Sequence, residues 1–215
     1  EVTAAFAADA ASRMTGVPGV CAVTAGPGVT NTVTAVKNAQ EAQQPIIILG
    51  GATATVLRGR GSLQDIDQLS LMKTITKWAV RCNKVGDLEP LLKRAFQVAA
   101  AGIPGPVFLE LPVDVLYPKE IVEEWYLKES GVGTMKGAVG AMAKLAVQGY
   151  LNHQFHMPRI SMGGWPRLSS KMEGPASSQV KTVANALKNA ERPVLVIGNQ
   201  AMVNMTPDRV QQLAD

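Results

Sequence analysis

The stretch GVCAVTAGPGVTN, residues 19–31, is the part of this sequence whose residue types and spacing most suggest chemistry. A β-branched apolar run gives way to Gly26-Pro27-Gly28 and then to residues that can start a helix. Glycines between a strand and a helix can cradle phosphate, because the free backbone N–H groups of a helix start bind anions. The dinucleotide fingerprint is incomplete, however: Asn31 stands where its third glycine belongs, and no acidic residue follows about twenty positions on. No Gly-Lys-Ser/Thr ending makes it a nucleoside-triphosphate loop. On spacing alone it is a tight turn.

The other polar candidates are weaker by themselves. Glu1 is a first-turn acid favoured by the helix dipole, and Gln64, in SLQDIDQ, is a polar residue beginning a helix. Asn31 can bind its own backbone. Arg58 and Arg60, in LRGRG, can meet a phosphate but read first as a basic surface loop. His153 and His156 have the spacing of one helix face beside a linker and are read as exposed rather than as metal ligands. No metal site is assigned. Glu110 and Asp114 flank a buried strand end and are given no catalytic role, while Trp78, Trp125 and Trp165 read as packing or linker anchors. Cys21 and Cys82 each lie in a strand-like run without a partner at metal or redox spacing, so they read as buried reduced thiols in a reducing environment.

The elements that must position these residues alternate in type. An alanine-rich helix over 1–14, ended by Gly16, precedes a strand over 20–25, the glycine loop, a helix over 30–43 and the apolar run PIIILGG. A short helix in QDIDQLSLM, a strand in KWAVRC, a helix capped by Asp87 and a buried strand in PGPVFLELP continue the series. That last helix puts Leu88, Leu91, Leu92, Ala95 and Ala99 on one face. Strands separated by helices at this spacing predict an α/β fold with a parallel sheet covered on both faces, and ligands beyond the carboxyl ends of the strands. From about 118 to 178 the periodicity fails, apart from a possible helix in TMKGAVGAMAKLAVQGYL, whose methionine-bearing amphipathic face suits packing on its own domain or contact with lipid. A second α/β portion then opens with an amphipathic helix in SSQVKTVANALKNAE, a strand in RPVLVIGN, and a helix with Thr206 as N-cap and Pro207 at its first position.

The 215 residues, 47% hydrophobic, suffice for one substantial core and part of a second. The formal charge of +4 is spread without a basic block or interleaved aromatics, which argues against a nucleic-acid partner. No apolar run is long enough to span a membrane and no signal pattern opens the chain. The sequence starts inside one helical pattern and stops inside another, and so reads as a piece of a longer protein.

Several motifs in one register are more specific than any of these alone. They are Glu1-x-x-Ala4-x-x-Ala7-Ala8-Asp9-Ala10-x-x-Arg13, VTAGPGVTN, GIPGPVFLELPVDV and RPVLVIG. Together they resemble the thiamine-diphosphate-dependent enzymes of the acetolactate synthase group across nearly the whole chain. The resemblance implies an N-terminally truncated pyrimidine-binding domain over 1–117, a linker over 118–177 and the start of a central domain over 178–215. It places Glu1 at the cofactor glutamate, Gly26, Pro27 and Gly28 against the aminopyrimidine ring, Asn31 on the cofactor side and Gln64 toward the reaction centre. A carboxyl group sharing a proton with N1′ of that ring favours the imino tautomer, whose N4′ can take the proton from C2 of the thiazolium. Burial against an apolar ring suits such sharing because it penalises the charged form.

The resemblance also implies Mg²⁺ and diphosphate ligands beyond Asp215, so that these residues alone supply half a site and turn over no substrate. Lys73 in KTITK stands where flavin-binding synthases carry arginine, which speaks against a tightly bound FAD, since lysine does not replace arginine at a phosphate or stacked contact. The long segment after 118 is similar to that of family members acting on 2-hydroxyacyl-CoA. The implied reaction is cleavage of long-chain 2-hydroxyacyl-CoA into formyl-CoA and an aldehyde one carbon shorter. The alternatives are a carboligase joining 2-keto acids and a non-catalytic nucleotide- or CoA-binding α/β module. A homodimer or homotetramer is implied, as is an endoplasmic-reticulum membrane location through an anchor preceding Glu1, with cytoplasmic or mitochondrial placement as alternatives.

Overall fold

The structure, a computed structural model, describes residues 1–156, 174–198 and 207–214. The chain divides into two units between Ser170 and Lys171. In the first, four parallel strands, β1 (Gly19–Val23), β2 (Ile46–Ala52), β3 (Trp78–Arg81) and β4 (Val107–Pro112), stand in the order β1-β2-β4-β3. This is the expected parallel α/β sheet. Ile46 and Ile48 of β2 face one side with Phe108, and Ile47 and Leu49 face the other, so one strand feeds two cores. Burial on both sides explains why β2 and β4 read as unbroken apolar runs rather than as alternating patterns.

Helices α1 (Val2–Thr15) and α3 (Val33–Glu41) cover the first face through Ala5, Ala8, Ala35, Val36 and Ala39, all buried. The small side chains let α1 lie so close to β1 that a Cβ on Gly19 would overlap the Ala8 carbonyl. Buried polar contacts fix the alignment of α1. Asp9, 4% exposed, accepts from Arg13 Nε and Nη2 at 3.1 and 3.0 Å and from Asn38 Nδ2 of α3 at 3.1 Å. Ser12 Oγ donates to the Pro45 carbonyl at 2.8 Å, just before β2. The opposite face is covered by α5 (Leu88–Ala100), whose Ala95 and Ala99 pack on Ile47 and Val107, and whose Leu88, Leu91 and Leu92 pack around Leu109 and Leu111.

Several boundaries depart from the sequence reading. The expected helix over 30–43 is α3, which runs only from Val33 to Glu41, and a separate helical turn, α2 (Pro27–Thr30), precedes it within the glycine loop. Helix α4 (Gln68–Lys73) is shorter than QDIDQLSLM, starting only where Asp67 Oδ1 accepts from the Ser70 N–H at 3.2 Å. Asp87 holds the N-cap position of α5, but its side chain makes no capping bond.

The largest departure lies in 118–177, read from the sequence as a linker with one possible helix. It contains α6 (Lys119–Glu129) and α7 (Gly137–Gln154). Helix α6 escaped detection because its core-facing stripe is only Val122, Trp125 and Tyr126 among charges, with Pro118 ahead of it. Val122 and Tyr126 pack with Leu151 of α7.

In the second unit, α8 (Ser177–Asn189) opens with Gln179 Oε1 accepting from the Ala176 N–H at 3.0 Å, and α9 (Pro207–Ala214) follows. The strand expected in RPVLVIGN is absent over 192–198, where Val194 and Val196 stand 86% and 91% exposed. A lone extended segment is not stable without strands to pair with, and the described residues of this unit provide none. Thr206 and Trp165 lie outside the described residues. Among the described residues no helix is long and apolar enough to cross a membrane.

Candidate functional site

The carboxyl ends of β1, β2 and β4 form the edge on which the sequence-selected residues can meet. Because α1 runs antiparallel to β1, pinning Ser12 near the start of β2 sends the other end of the helix toward this edge. Glu1 is the N-cap of α1, exposed, and a Cβ built on Gly28 would stand 3.7 Å from Glu1 Cγ. Thus residues 27 positions apart in sequence lie side by side.

The Gly-Pro-Gly loop is shaped by its neighbours. Gly26 has φ +60°, and a Cβ there would lie 2.9 Å from Gln64 Cβ, so both conformation and space require glycine. Pro27 occupies the first position of α2, where its missing N–H costs nothing. At Gly28 a Cβ would come within 2.7 Å of Thr24 Cγ2. Asn31 sits exposed at the C-cap of α2, its N–H donating to the Pro27 carbonyl at 2.9 Å.

Gln64 does not begin a helix as expected. It lies in the turn before α4 with φ +65°, a left-handed conformation that costs a residue with a Cβ roughly 1 kcal/mol. Strain of this kind gathers where a side chain must be aimed. Half-buried, Gln64 has Gly26 on one side and on the other lines a cavity of about 660 Å³.

The residue that holds this turn was missed from sequence. Gln68, 1% exposed, accepts from the Gly26 N–H at 2.9 Å and donates from Nε2 to the Gly51 carbonyl at 2.6 Å, tying the loop after β1 to the end of β2. The signal was its i,i+4 relation to Met72, which places a glutamine on the buried face of α4. Gln68→Leu leaves a buried donor and acceptor unpaired. It should cost about 1 to 3 kcal/mol, readable as a lower urea midpoint of the full-length protein, with Gln68→Glu also destabilising because it loses the donor.

The remaining candidates have structural surroundings. Glu110, 1% exposed, pairs with Arg81 Nε at 2.5 Å across β3 and β4. Asp114 is fully buried and accepts from the Thr55 N–H and Oγ1 at 3.2 and 3.3 Å, from Tyr126 Oη at 2.6 Å and from Gln154 Nε2 at 3.1 Å. Burial, then the Asp114 carboxylate, push the Tyr126 phenol well above its ordinary range and keep it a donor. Arg58, Arg60, Lys73, His153 and His156 are exposed. Trp78 packs on the α5 face of the sheet, with the Arg94 guanidinium 5.1 Å over its ring. Cys21 and Cys82 are buried and free, their thiols pushed up by that burial. Among the described residues no three His, Cys, Asp or Glu side chains group as metal ligands.

Residues 1–71 match the family model described as thiamine pyrophosphate enzyme, N-terminal TPP binding domain. The chain is 46% identical over 211 residues to the 2-hydroxyacyl-CoA lyase 2 of Homo sapiens, covering 96% of this chain and 32% of that protein. It is 42% identical over 212 residues to the protein of the same name from Danio rerio, covering 96% of this chain and 33% of that protein. Against the mitochondrial acetolactate synthase of Schizosaccharomyces pombe it is 31% identical over 204 residues, covering 95% of this chain and 26% of that one. The chain therefore spans about a third of the length of the two lyases and about a quarter of that of the synthase. An aminopyrimidine is compatible with the geometry: no side chain projects from residues 26 and 28, and the acidic side chain of Glu1 stands beside Gly28.

Proposed function

We propose that this chain, which belongs to the thiamine-diphosphate-dependent enzymes akin to acetolactate synthase, forms the pyrimidine-binding side of the cofactor site in a lyase that cleaves 2-hydroxyacyl-CoA. Thiamine diphosphate, when bound, supplies a carbon nucleophile for the thioester carbonyl. Glu1 holds a proton against N1′ of the aminopyrimidine. Gly26 and Gly28 bring backbone to the ring face, with Pro27 fixing the turn and Asn31 bordering it. Gln64 faces the reacting end, where its amide can donate to a developing oxyanion or accept from the substrate hydroxyl. Mg²⁺ and the diphosphate are held by residues outside this sequence, so the 215 residues alone bind no substrate productively.

Cleavage of the C1–C2 bond of a 2-hydroxyacyl-CoA gives an aldehyde one carbon shorter and formyl-CoA, with no external oxidant or reductant. The observation that carries this reading over carboligation is the identity of 41–46% to lyases of that name, against 30–31% to acetolactate synthases, at similar coverage of this chain. Lys73 in place of the flavin-site arginine points the same way. Parallel assays on the full-length protein, given thiamine diphosphate and Mg²⁺ but no flavin, test it. The expected outcome is aldehyde and formyl-CoA from long-chain 2-hydroxyacyl-CoA, with little acetolactate from pyruvate. Robust acetolactate formation without lyase activity would restore the synthase reading. Failure to bind thiamine diphosphate would leave a nucleotide- or CoA-binding module.

A further inference from the structure

The glutamine that opens α4 stands where packing alone would favour an apolar residue. Gln68 is buried on the same face of α4 as Met72. A buried amide costs free energy unless its polar atoms are paired, and this one pairs both with backbone far off in the chain: Oε1 with the Gly26 N–H and Nε2 with the Gly51 carbonyl. The place of these two targets is informative. Pairing between β1 and β2 ends at Val23 and Gly50. Just beyond, where the two chains part, Gln68 accepts from one and donates to the other, as a peptide group would. Its side chain adds one further rung to the ladder, at the edge where the cofactor loop begins.

The same residue closes a ring around Gln64. The Ile66 N–H donates to the Gln64 carbonyl at 3.1 Å and the Gln68 N–H to the Ile66 carbonyl at 2.9 Å, so the backbone winds tightly from Gln64 into α4. From there the Gln68 side chain reaches Gly26, and Gly26 lies directly against Gln64: a Cβ on Gly26 would stand 2.9 Å from Gln64 Cβ and 3.1 Å from Gln64 Cα. Gln64 is thus held from both sides in its left-handed conformation, φ +65°. That conformation is unfavourable for a residue with a Cβ and persists only where neighbours impose it. Freeing Gly26 would remove the surface on which Gln64 rests.

We infer that Gln68 is a positioning residue for the reaction, which through Gly26 holds Gln64 at the reacting end of the cofactor site. The inference rests on the reading of Gln64 given above and goes beyond it by assigning the aim of that side chain to a second glutamine, 1% exposed and so closed to substrate. A misplacement of about 1 Å at a reacting centre can cost up to about 100-fold in rate, so loss of this support should be felt in kcat.

Two experiments on the full-length protein test this. The first is a double-mutant cycle on the holoenzyme with Gln68→Met, which keeps the length of the side chain but neither bond, and Gln64→Ala. In the wild-type background Gln68→Met should lower kcat about tenfold or more with KM within about threefold, and in the Gln64→Ala background it should lower kcat less than about twofold. A purely structural role would lower kcat by the same factor in both backgrounds, and that result would overturn the inference. If Gln68→Met does not fold, Gln68→Glu, of the same size but lacking the donor to Gly51, carries the same cycle. The second experiment needs no turnover: amide hydrogen exchange of the cofactor-free protein. In the Gln68 variant the segment containing Gly26 should exchange about tenfold faster or more while α1 and α5 keep their protection. Unchanged exchange at Gly26, or a uniform loss that includes α1 and α5, would count against the clamp. The cycle is read on whichever reaction the holoenzyme performs. Acetolactate formation in place of cleavage would sink the lyase reading and leave the role of Gln68 to stand on the cycle, whereas cleavage with equal losses in both backgrounds would do the reverse.

Discussion

Replacement of Glu1 by glutamine in the full-length enzyme is expected to slow exchange of the C2 proton of bound thiamine diphosphate by about 100-fold or more, the usual scale for losing a positioned acid–base group. Glutamine keeps the size of the side chain and can still donate to N1′, but it cannot share a proton across that contact. Folding should be untouched, because Glu1 is exposed and its side chain makes no capping bond to α1. Cofactor affinity should fall far less than exchange does, since the loop at Gly26 and Gly28 is unchanged. Glu1→Asp should fall between, its carboxyl drawn back by one methylene from Gly28. Proton–deuterium exchange followed by rapid acid quench and NMR reads the step without substrate. Wild-type exchange in Glu1→Gln would remove Glu1 from the chemistry.

Glu1 is singled out by a family resemblance and not by any local pattern, whereas the helix that follows it is legible because its determinants are local and repetitive. Ala5, Ala8, Asp9 and Ser12 recur on one face of α1, and that face is buried against β1. The parallel sheet is legible for a similar reason: IIIL and VFLEL are continuous apolar runs, which only strands buried on both faces require. Composition could not show what the polar groups do once buried. Gln68 and Asp114 look like ordinary helix-start and loop residues, yet their partners lie 42 and 59 positions away, in Gly26 and Thr55. Long-range hydrogen bonds leave no periodic trace. The conformation of Gln64 is illegible on the same ground, since its φ of +65° is imposed by neighbours rather than chosen by a side chain.

Helix α6 shows the other limit. With eleven residues and a buried face of Val122 and Tyr126, it has too little apolar surface to announce itself, and it takes its place through Asp114 instead. One carboxylate thus joins the end of β4, the turn at Thr55, α6 and α7.

Asp114→Ala should therefore be among the most damaging single changes in the first unit. It strands the Tyr126 hydroxyl and the Gln154 amide in a buried site, and the Thr55 N–H beside them, at about 1 to 3 kcal/mol for each group left unpaired. With relaxation the total should reach about 3 to 5 kcal/mol, a large part of what holds an ordinary domain folded. Amide hydrogen exchange in the full-length protein would show it as loss of protection confined first to α6 and α7. Tyr126→Phe should cost less, because Asp114 keeps its other donors, and combining it with Asp114→Ala should cost less than the sum. The phenol adds a pH signature. Its folded-state value is raised above the ordinary 10.0, so its contribution is fully present below pH 10 and is lost as pH climbs toward the folded value. Tyr126→Phe should flatten that alkaline decline, and an alkaline stability profile unchanged by the substitution, together with unaltered protection of α6 in Asp114→Ala, would show that this network does not hold α6 in place.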